Sequence, residues 1–170
     1  YERDLERFAR SWAVPGTAGL EHRVGGLEKA EHGAISSDPL NHEKMVAARA
    51  EKVARVANYI PDLEVVGEQE GEILIVGWGG TYGHLYTAAK ELLAEGKSVG
   101  FAHFDYINPL PKNTKDVFKR FKKIIVCELN SGQFVNYLRA MHPEFTYNQL
   151  NKVQGQPFIV KEIVDAVHAL

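Results

Sequence analysis

Cysteine is almost absent from this sequence of 170 residues, since Cys127 is the only one. A single cysteine excludes an internal disulfide and any cysteine-held metal cluster within the chain. Strong charge of one sign is also missing: 20 basic side chains stand against 22 acidic ones, so no affinity for nucleic acid is expected. No apolar run approaches the ~20 residues of a membrane span, so we expect no membrane partner. The cysteine usage favours a reducing, cytoplasmic location.

The first residues are charged and lack an initiator methionine. They do not resemble a signal peptide, and we interpret them as a cut made inside a longer chain. Hydrophobic residues make up 45% of the sequence and charged residues 25%, which is ordinary for a folded globular protein.

The sequence divides into two parts, residues 1–60 and residues 61–170. In the first part, residues 3–10 have helical spacing of apolar positions. Residues 13–37 contain five glycines, which argues against regular structure, so we expect them to pack poorly unless a partner surface covers them. Asp38 and Pro39 are typical of a helix start, and this helix is predicted to run to about Tyr59.

Residues 61–170 alternate apolar runs with helical patterns. The predicted strands are residues 63–67, 72–77, 98–104, 123–128 and 145–151, and the predicted helices are residues 81–95, 114–121, 132–141 and 158–169. Steady alternation implies right-handed crossovers and a mostly parallel sheet between two helix layers. The predicted fold class is therefore a three-layer α/β/α domain with a five-stranded sheet, preceded by a loop-and-helix arm.

Three loops follow predicted strands, at the edge where parallel sheets bind ligands. They supply the candidate ligand or interface residues, which are Gly77, Gly79, Gly80, Thr81, Tyr82, Gly83, Asn108, Glu128, Asn130, Gly132 and Gln133. None of these loops holds a complete catalytic set, so no catalytic residue and no metal ligand is predicted in this chain.

The first loop partly matches a dinucleotide-binding pattern. Gly77 and Gly79 fit the first two glycines, but Tyr82 stands where the third belongs. Asp105 lies roughly where a ribose-binding carboxylate is expected. Two interpretations remain open: the glycines permit a tight strand-to-helix turn, which we favour, or the chain is a free-standing nucleotide- or flavin-binding module.

Two further features also allow two interpretations each. Glu128, Asn130 and Gln133 either bind a ligand or cap the helix near Gly132, and capping is favoured because caps are common. A basic run opposed only by Asp116 is either a solvated helix face or a dock for an acidic partner such as a ferredoxin; its members are Lys112, Lys115, Lys119, Arg120, Lys122 and Lys123. Cys127 lies within an apolar strand and is expected to be buried and inert.

Four segments carry a family resemblance: residues 16–29, residues 38–42 with the positions that follow them, residues 106–111 and residues 128–133. Together they resemble the C-terminal part of the alpha subunit of 2-oxoglutarate:ferredoxin oxidoreductases. Leu129 departs from this resemblance, since asparagine is often expected there.

The resemblance implies an enzyme that converts a 2-oxo acid to an acyl-CoA, here succinyl-CoA, with release of CO2 and reduction of ferredoxin. It implies thiamine diphosphate, Mg and an iron–sulfur cluster in the full enzyme, none of them bound by this chain alone. The implied partners are the beta subunit, the rest of the alpha subunit, ferredoxin and CoA. Residues 61–170 would be a transketolase C-terminal-like domain with an antiparallel edge strand at 63–67. Its role would be structural, at an interface, and the chain alone would be inactive.

Overall fold

A computed structural model describes residues 2–170. The chain forms two compact units, Tyr1–Tyr59 and Ile60–Leu170. We call the first unit the arm and the second the α/β unit.

The arm begins with a small antiparallel pair of strands, β1 (Arg3–Asp4) and β2 (Ala9–Arg10). The predicted helix over residues 3–10 is therefore wrong. The carboxylate Oδ1 of Asp4 accepts hydrogen bonds from the backbone N–H groups of Glu6 (2.8 Å) and Arg7 (3.0 Å). Phe8 adopts a left-handed φ of 51°. Because an aspartate can bond to the backbone just beyond it, it favours a turn over a helix.

One long helix, α1 (Pro39–Ala54), continues into a 3-10 turn over Arg55–Asn58. The predicted start is confirmed, because Asp38 Oδ1 accepts the N–H of Leu40 at 3.0 Å. Between β2 and α1 the chain is irregular apart from one bridge between Lys29 and Ile35.

The arm has no hydrophobic core, since none of residues 2–59 is buried. Arginine and glutamate contacts organise it instead. Arg10 donates to the carbonyls of Ala30 and Glu31 at 2.6 and 2.5 Å. Glu28 accepts from Arg49 at 3.0 Å and faces His42 Nδ1 at 3.1 Å.

The α/β unit contains five strands and four helices, close to the predicted set. The strands are β3 (Val65–Gly67), β4 (Gly71–Trp78), β5 (Val99–Phe104), β6 (Phe121–Glu128) and β7 (Tyr147–Asn151). The helices are α2 (Tyr82–Ala94), α3 (Thr114–Phe118), α4 (Gln133–Met141) and α5 (Val160–His168).

The sheet has the strand order β3-β5-β4-β6-β7. The strands β4, β5, β6 and β7 pair in parallel, and β3 pairs antiparallel with β5 at one edge. The predicted mostly parallel five-stranded sheet with one antiparallel edge strand is thus confirmed.

Helices cover both faces of the sheet and create two apolar clusters. On one face, α3 and α4 pack on strand residues such as Leu74 and Val126. On the other face, α2 and α5 pack on residues such as Ile75 and Ile125. Strands buried on both faces read as continuous apolar runs, which is why they were recognisable in the sequence.

The prediction for α3 is partly wrong. The helix ends at Phe118, its N-cap residue is Asn113, and Phe121 already belongs to β6. The hydroxyl of Thr114, the first residue of the helix, donates to the carbonyl of Pro111 at 2.7 Å. No helix within residues 2–170 is long and apolar enough to cross a membrane.

Candidate functional site

The carboxyl edge of the parallel strands contains a crevice between β4 and β6. The chain leaves β4 toward α2 on one face of the sheet and leaves β6 toward α4 on the other face. Adjacent strands whose connections diverge in this way leave a cleft, which is where open α/β sheets bind ligands.

Trp78 and Glu128 fill this crevice. Each is the last residue of its strand, and the indole Nε1 of Trp78 donates to Glu128 Oε2 at 3.2 Å. The indole also packs on the ring of Phe134, with centroids 6.1 Å apart. Glu128 is 0% exposed. The crevice is therefore occupied by the side chains of this chain.

Glu128 and Asn130 cap α4. The carboxylate of Glu128 accepts the backbone N–H groups of Phe134 (2.8 Å) and Val135 (2.9 Å). Asn130 Oδ1 accepts those of Gly132 (2.7 Å) and Gln133 (3.0 Å). Capping was the favoured interpretation of these residues, and a negative charge at a helix N-terminus is also stabilised by the helix dipole.

Glycines in the first loop have different roles. A Cβ on Gly77 would lie 2.1 Å from Leu85 Cδ1, so this glycine permits close packing of β4 on α2. Gly79, Gly80 and Gly83 face open space, with nothing within 4 Å of a built Cβ. Thr81 is buried, and its hydroxyl donates to the carbonyl of Trp78 at 2.9 Å.

Tyr82 begins α2 at the position where a dinucleotide fold needs glycine. The residue is 48% exposed, and its ring stacks on Tyr86 with centroids 5.7 Å apart and meets His103 edge-on at 5.2 Å. Asp105, the candidate ribose ligand, lies 3.2 Å from His103 Nδ1. The other ring nitrogen of His103 lies 3.0 Å from the carbonyl oxygen of Gly79.

Asn108 and Gln133 come together at a small apolar pocket of about 240 Å³. Its lining consists of Trp78, Ile107, Asn108, Gln133, Phe134 and Tyr137. The phenol of Tyr137 donates to Asn108 Oδ1 at 3.2 Å, and burial raises the pKa of this phenol. The peptide bond between Asn108 and Pro109 is cis.

The structure thus joins the second and third loops at this pocket, whereas the open glycines of the first loop do not line it. Sequence reasoning missed four of the lining residues: Trp78, Ile107, Phe134 and Tyr137. For Trp78, Ile107 and Phe134 the available signal was an apolar or aromatic residue next to a predicted loop residue, and for Tyr137 it was the helical spacing of four positions from Gln133.

Neither the cysteine nor the basic run offers a reactive site. Cys127 is buried, and desolvation together with the charge of Glu128 raises its pKa far above the ordinary thiol value. Within residues 2–170, no group of three or more His, Cys, Asp or Glu side chains is placed to hold a metal ion. Most lysines of the basic run have partners; the pairs are Lys115 with Glu144, Lys119 with Asp116, Lys122 with Glu72, and Lys123 with the carbonyl of Leu170.

The family model of pyruvate:ferredoxin oxidoreductase core domain II matches residues 71–163, more than half of the chain. The chain belongs to this family. The match begins at β4 and ends within α5, so core domain II here comprises the parallel strands and the carboxyl edge described above.

Sequence similarity to relatives of this core domain II chain also includes the arm. The 2-oxoglutarate oxidoreductase subunit KorA of Mycobacterium tuberculosis is 41% identical over 165 residues, which is 96% of this chain and 25% of that protein. The 2-oxoacid:ferredoxin oxidoreductase 1 subunit alpha of Aeropyrum pernix is 28% identical over 84% of this chain and 23% of that protein. The chain therefore spans about a quarter of the length of these curated relatives.

Solved structures agree. The 2-oxoglutarate:ferredoxin oxidoreductase of Magnetococcus marinus, solved with 2-oxoglutarate, coenzyme A and succinyl-CoA bound, matches 99% of this chain with a TM-score of 0.88 and 33% identity, over 30% of its own chain. A split-gene transketolase, an inactive beta4 tetramer, matches 62% of this chain and 40% of its own with a TM-score of 0.50 and 16% identity, which supports the transketolase-like fold alone. None of these comparisons supports the nucleotide-module alternative.

Proposed function

We propose that this chain is the C-terminal part of the alpha subunit of a 2-oxoglutarate:ferredoxin oxidoreductase, an enzyme that forms succinyl-CoA, CO2 and reduced ferredoxin. The observation that carries the proposal is the match to the Magnetococcus marinus enzyme over 99% of the chain, with 33% identity and a TM-score of 0.88. That match includes the arm, which has no hydrophobic core of its own to determine its conformation. The proposed location is cytoplasmic, in line with the near-absence of cysteine.

The residues of this chain do not fit the cofactors of such an enzyme. An iron–sulfur cluster needs several thiolate ligands, and the single thiol is buried in β6. A metal-bridged diphosphate needs clustered oxygen ligands, and residues 2–170 hold no such group. We therefore assign thiamine diphosphate, Mg and the iron–sulfur cluster to other parts of the full enzyme, and we assign this chain a bracing role.

The carboxyl edge is the proposed contact surface of the α/β unit. The pocket beside Trp78 and Asn108 is apolar and has the volume of one large side chain. Tyr106 (44% exposed), Ile107 (37%) and Leu129 (38%) present further apolar surface on the same loops. Pockets that accept an apolar anchor from a partner are typical centres of protein interfaces.

The arm is the second proposed contact surface. It exposes many large apolar side chains, including Trp12 (94%), Val24 (85%), Leu27 (62%), Val14 (62%) and Leu20 (49%). The exposure of five large apolar side chains within residues 12–27 is typical of an interaction site. The proposed occupants are the remainder of the alpha subunit and the beta subunit, for which the four-fold greater length of the relatives leaves room.

Coupled turnover tests the proposal. The enzyme assembled from complete alpha and beta subunits should reduce ferredoxin with 2-oxoglutarate and CoA, and much more slowly with pyruvate. The 170-residue chain alone, supplied with thiamine diphosphate, Mg, CoA and ferredoxin, should show no turnover. Turnover by the chain alone, or an assembled enzyme that ignores 2-oxoglutarate, contradicts the proposal.

A matched pair of variants tests the contact surface. Ile107→Asp puts a charge beside the pocket and should weaken subunit assembly in sedimentation experiments. Met141→Asp is the control, because Met141 is 51% exposed but lies at the end of α4, at the opposite edge of the sheet. Equal assembly of both variants would rule out the carboxyl edge as an interface.

A further inference from the structure

His103 lies between two hydrogen-bond acceptors on two different loops. Its Nε2 is 3.0 Å from the carbonyl oxygen of Gly79, in the glycine-rich first loop. Its Nδ1 is 3.2 Å from Oδ1 of Asp105, in the loop that follows β5. The imidazole is well shielded, with 11% of its side chain exposed, whereas the Asp105 side chain is 79% exposed.

Both acceptors need an N–H donor, and a neutral imidazole has only one to offer. A neutral ring has one N–H group and one lone pair, so it donates to one neighbour and directs its lone pair at the other. Neither a carbonyl oxygen nor an ionised carboxylate carries a proton, so neither can donate a hydrogen bond to the lone pair of the ring. Only the imidazolium form donates to both, and its bond to Asp105 is then charge-assisted.

The cavity beside His103 is lined by acidic side chains and by no basic ones. His103 lines this cavity of about 420 Å³ on the same face as α2. The titratable side chains of this cavity are Asp62 and Glu64 before β3, Tyr82 on α2, and Asp105 and Tyr106 in the loop after β5, with no lysine or arginine among the lining residues. The Tyr82 ring lies edge-on to the imidazole with the two centroids 5.2 Å apart, and the N-terminus of α2 opposes a positive charge on His103.

Gly79 borders open space in the glycine loop. This residue has a left-handed φ of 59°, and nothing packs within 4 Å of a built Cβ. The neighbouring turn is fixed by Thr81 through Trp78, but Gly79 itself reaches another loop through its carbonyl contact to His103.

We propose that protonated His103 is a latch that ties the glycine loop after β4 to the loop after β5, and that loss of its proton releases one of the two contacts. The latch is present when both ring nitrogens of His103 carry protons, and it is lost when the ring becomes neutral. It acts on two of the loops that form the proposed contact surface, so it sets the shape of that surface; only this consequence rests on the proposed function.

Nitrogen-15 NMR of the imidazole rings in the 170-residue chain tests the latch directly. Spectra recorded from about pH 5 to 8, the range in which histidines in general change charge, should contain a form of His103 in which both ring nitrogens carry protons. In parallel, amide exchange at residues 79–81 should be roughly fivefold slower in the protonated state than in His103→Gln at the same pH, the effect expected for one hydrogen bond of about 1 kcal/mol.

Three variants sharpen the test. His103→Gln should make loop exchange insensitive to pH once intrinsic exchange is divided out, and Asp105→Asn should weaken the pH dependence. His84→Gln, in the first turn of α2 but outside the cavity, should leave it unchanged. An imidazole that stays a single neutral tautomer over the whole range, or a His103→Gln variant with unaltered pH dependence, overturns the latch. Neither readout requires turnover, so its failure leaves the proposed function untouched.

Discussion

The arm and the α/β unit hold their folded conformations by different interactions. The α/β unit buries apolar side chains on both faces of a sheet, and its largest buried residues include four phenylalanines. The arm buries none of residues 2–59 and relies on arginine contacts, such as Arg49 with Glu28 and Arg55 over the ring of Phe8 at 4.3 Å. Burial of apolar area is the dominant stabilising term, while exposed ion pairs contribute little. The arm therefore has a defined shape but few means of stabilising it alone.

Hydrogen exchange should give the largest contrast between the two units. Residues 14–27 are all exposed, whereas β4 and β6 lie in the middle of the sheet. Amides of residues 16–27 should exchange near intrinsic rates, and those of β4 and β6 roughly a thousandfold or more slowly, because their opening needs global unfolding. Uniformly slow exchange across the arm of a proven monomer would contradict this contrast.

Replacing one leucine by alanine in each unit should lower the free energy of unfolding by very different amounts. Leu85→Ala removes a fully buried side chain of α2 and should cost about 2–5 kcal/mol. Leu27→Ala, at a position that is 62% exposed, should change the stability of the isolated chain by less than about 0.5 kcal/mol. Guanidinium titrations followed by circular dichroism measure both. A comparable loss in the two variants would mean that the arm has an apolar core after all.

Replacing a buried and an exposed glutamate by glutamine should give a smaller difference in the free energy of unfolding. Glu128→Gln replaces one accepting oxygen by an amide group that faces backbone N–H donors at α4, so we expect a loss of about 2–3 kcal/mol. Glu72→Gln removes an exposed pairing with Lys122 and should leave the unfolding midpoint unchanged within error. If the two variants unfold alike, the cap at α4 contributes no more than a surface ion pair.

In the arm, the loss of the Glu28 contacts on acidification should produce the smallest of these effects. Partial desolvation acts to raise the pKa of Glu28, but hydrogen bonds from Arg49 and His42 outweigh it and hold this pKa below its ordinary value. A lowered carboxyl pKa stabilises above the unfolded-state value and is lost as the pH falls through the folded one. Amide exchange at Ala30, which bonds to Ala34, should therefore quicken below the ordinary glutamate range, and Glu28→Gln should abolish that dependence. A Glu28 carboxyl that titrates at its ordinary value by carbon-13 NMR would contradict the prediction.

The same comparison explains which predictions from sequence were correct. The strands and helices of the α/β unit follow from local apolar patterns, because Leu74, Ile75 and Val76 must be covered on both faces. The helix expected over residues 3–10 failed because the Asp4 turn competes with weak apolar periodicity. The predicted end of α3 was also wrong, because Phe121 is the first residue of β6 and not the last residue of the helix.

The candidate site was predictable only as a set of loops. The position of each loop follows from the strand before it, and capping by Glu128 and Asn130 follows from their place just before α4. The contact between Trp78 and Glu128 spans 50 positions, and that between Tyr137 and Asn108 spans 29. Such pairings depend on strand order, which local patterns do not contain.

The crevice-filling indole has an optical consequence. The chain has two tryptophans, one in each unit: Trp12 is 94% exposed, while Trp78 is partly buried and bonded to Glu128. Trp12 should emit at long wavelength and be quenched readily by acrylamide, whereas Trp78 should emit at shorter wavelength and resist quenching. When a partner covers the arm, the Trp12 emission should shift to the blue while that of Trp78 stays in place. The chain thus contains its own fluorescent reporter for each unit.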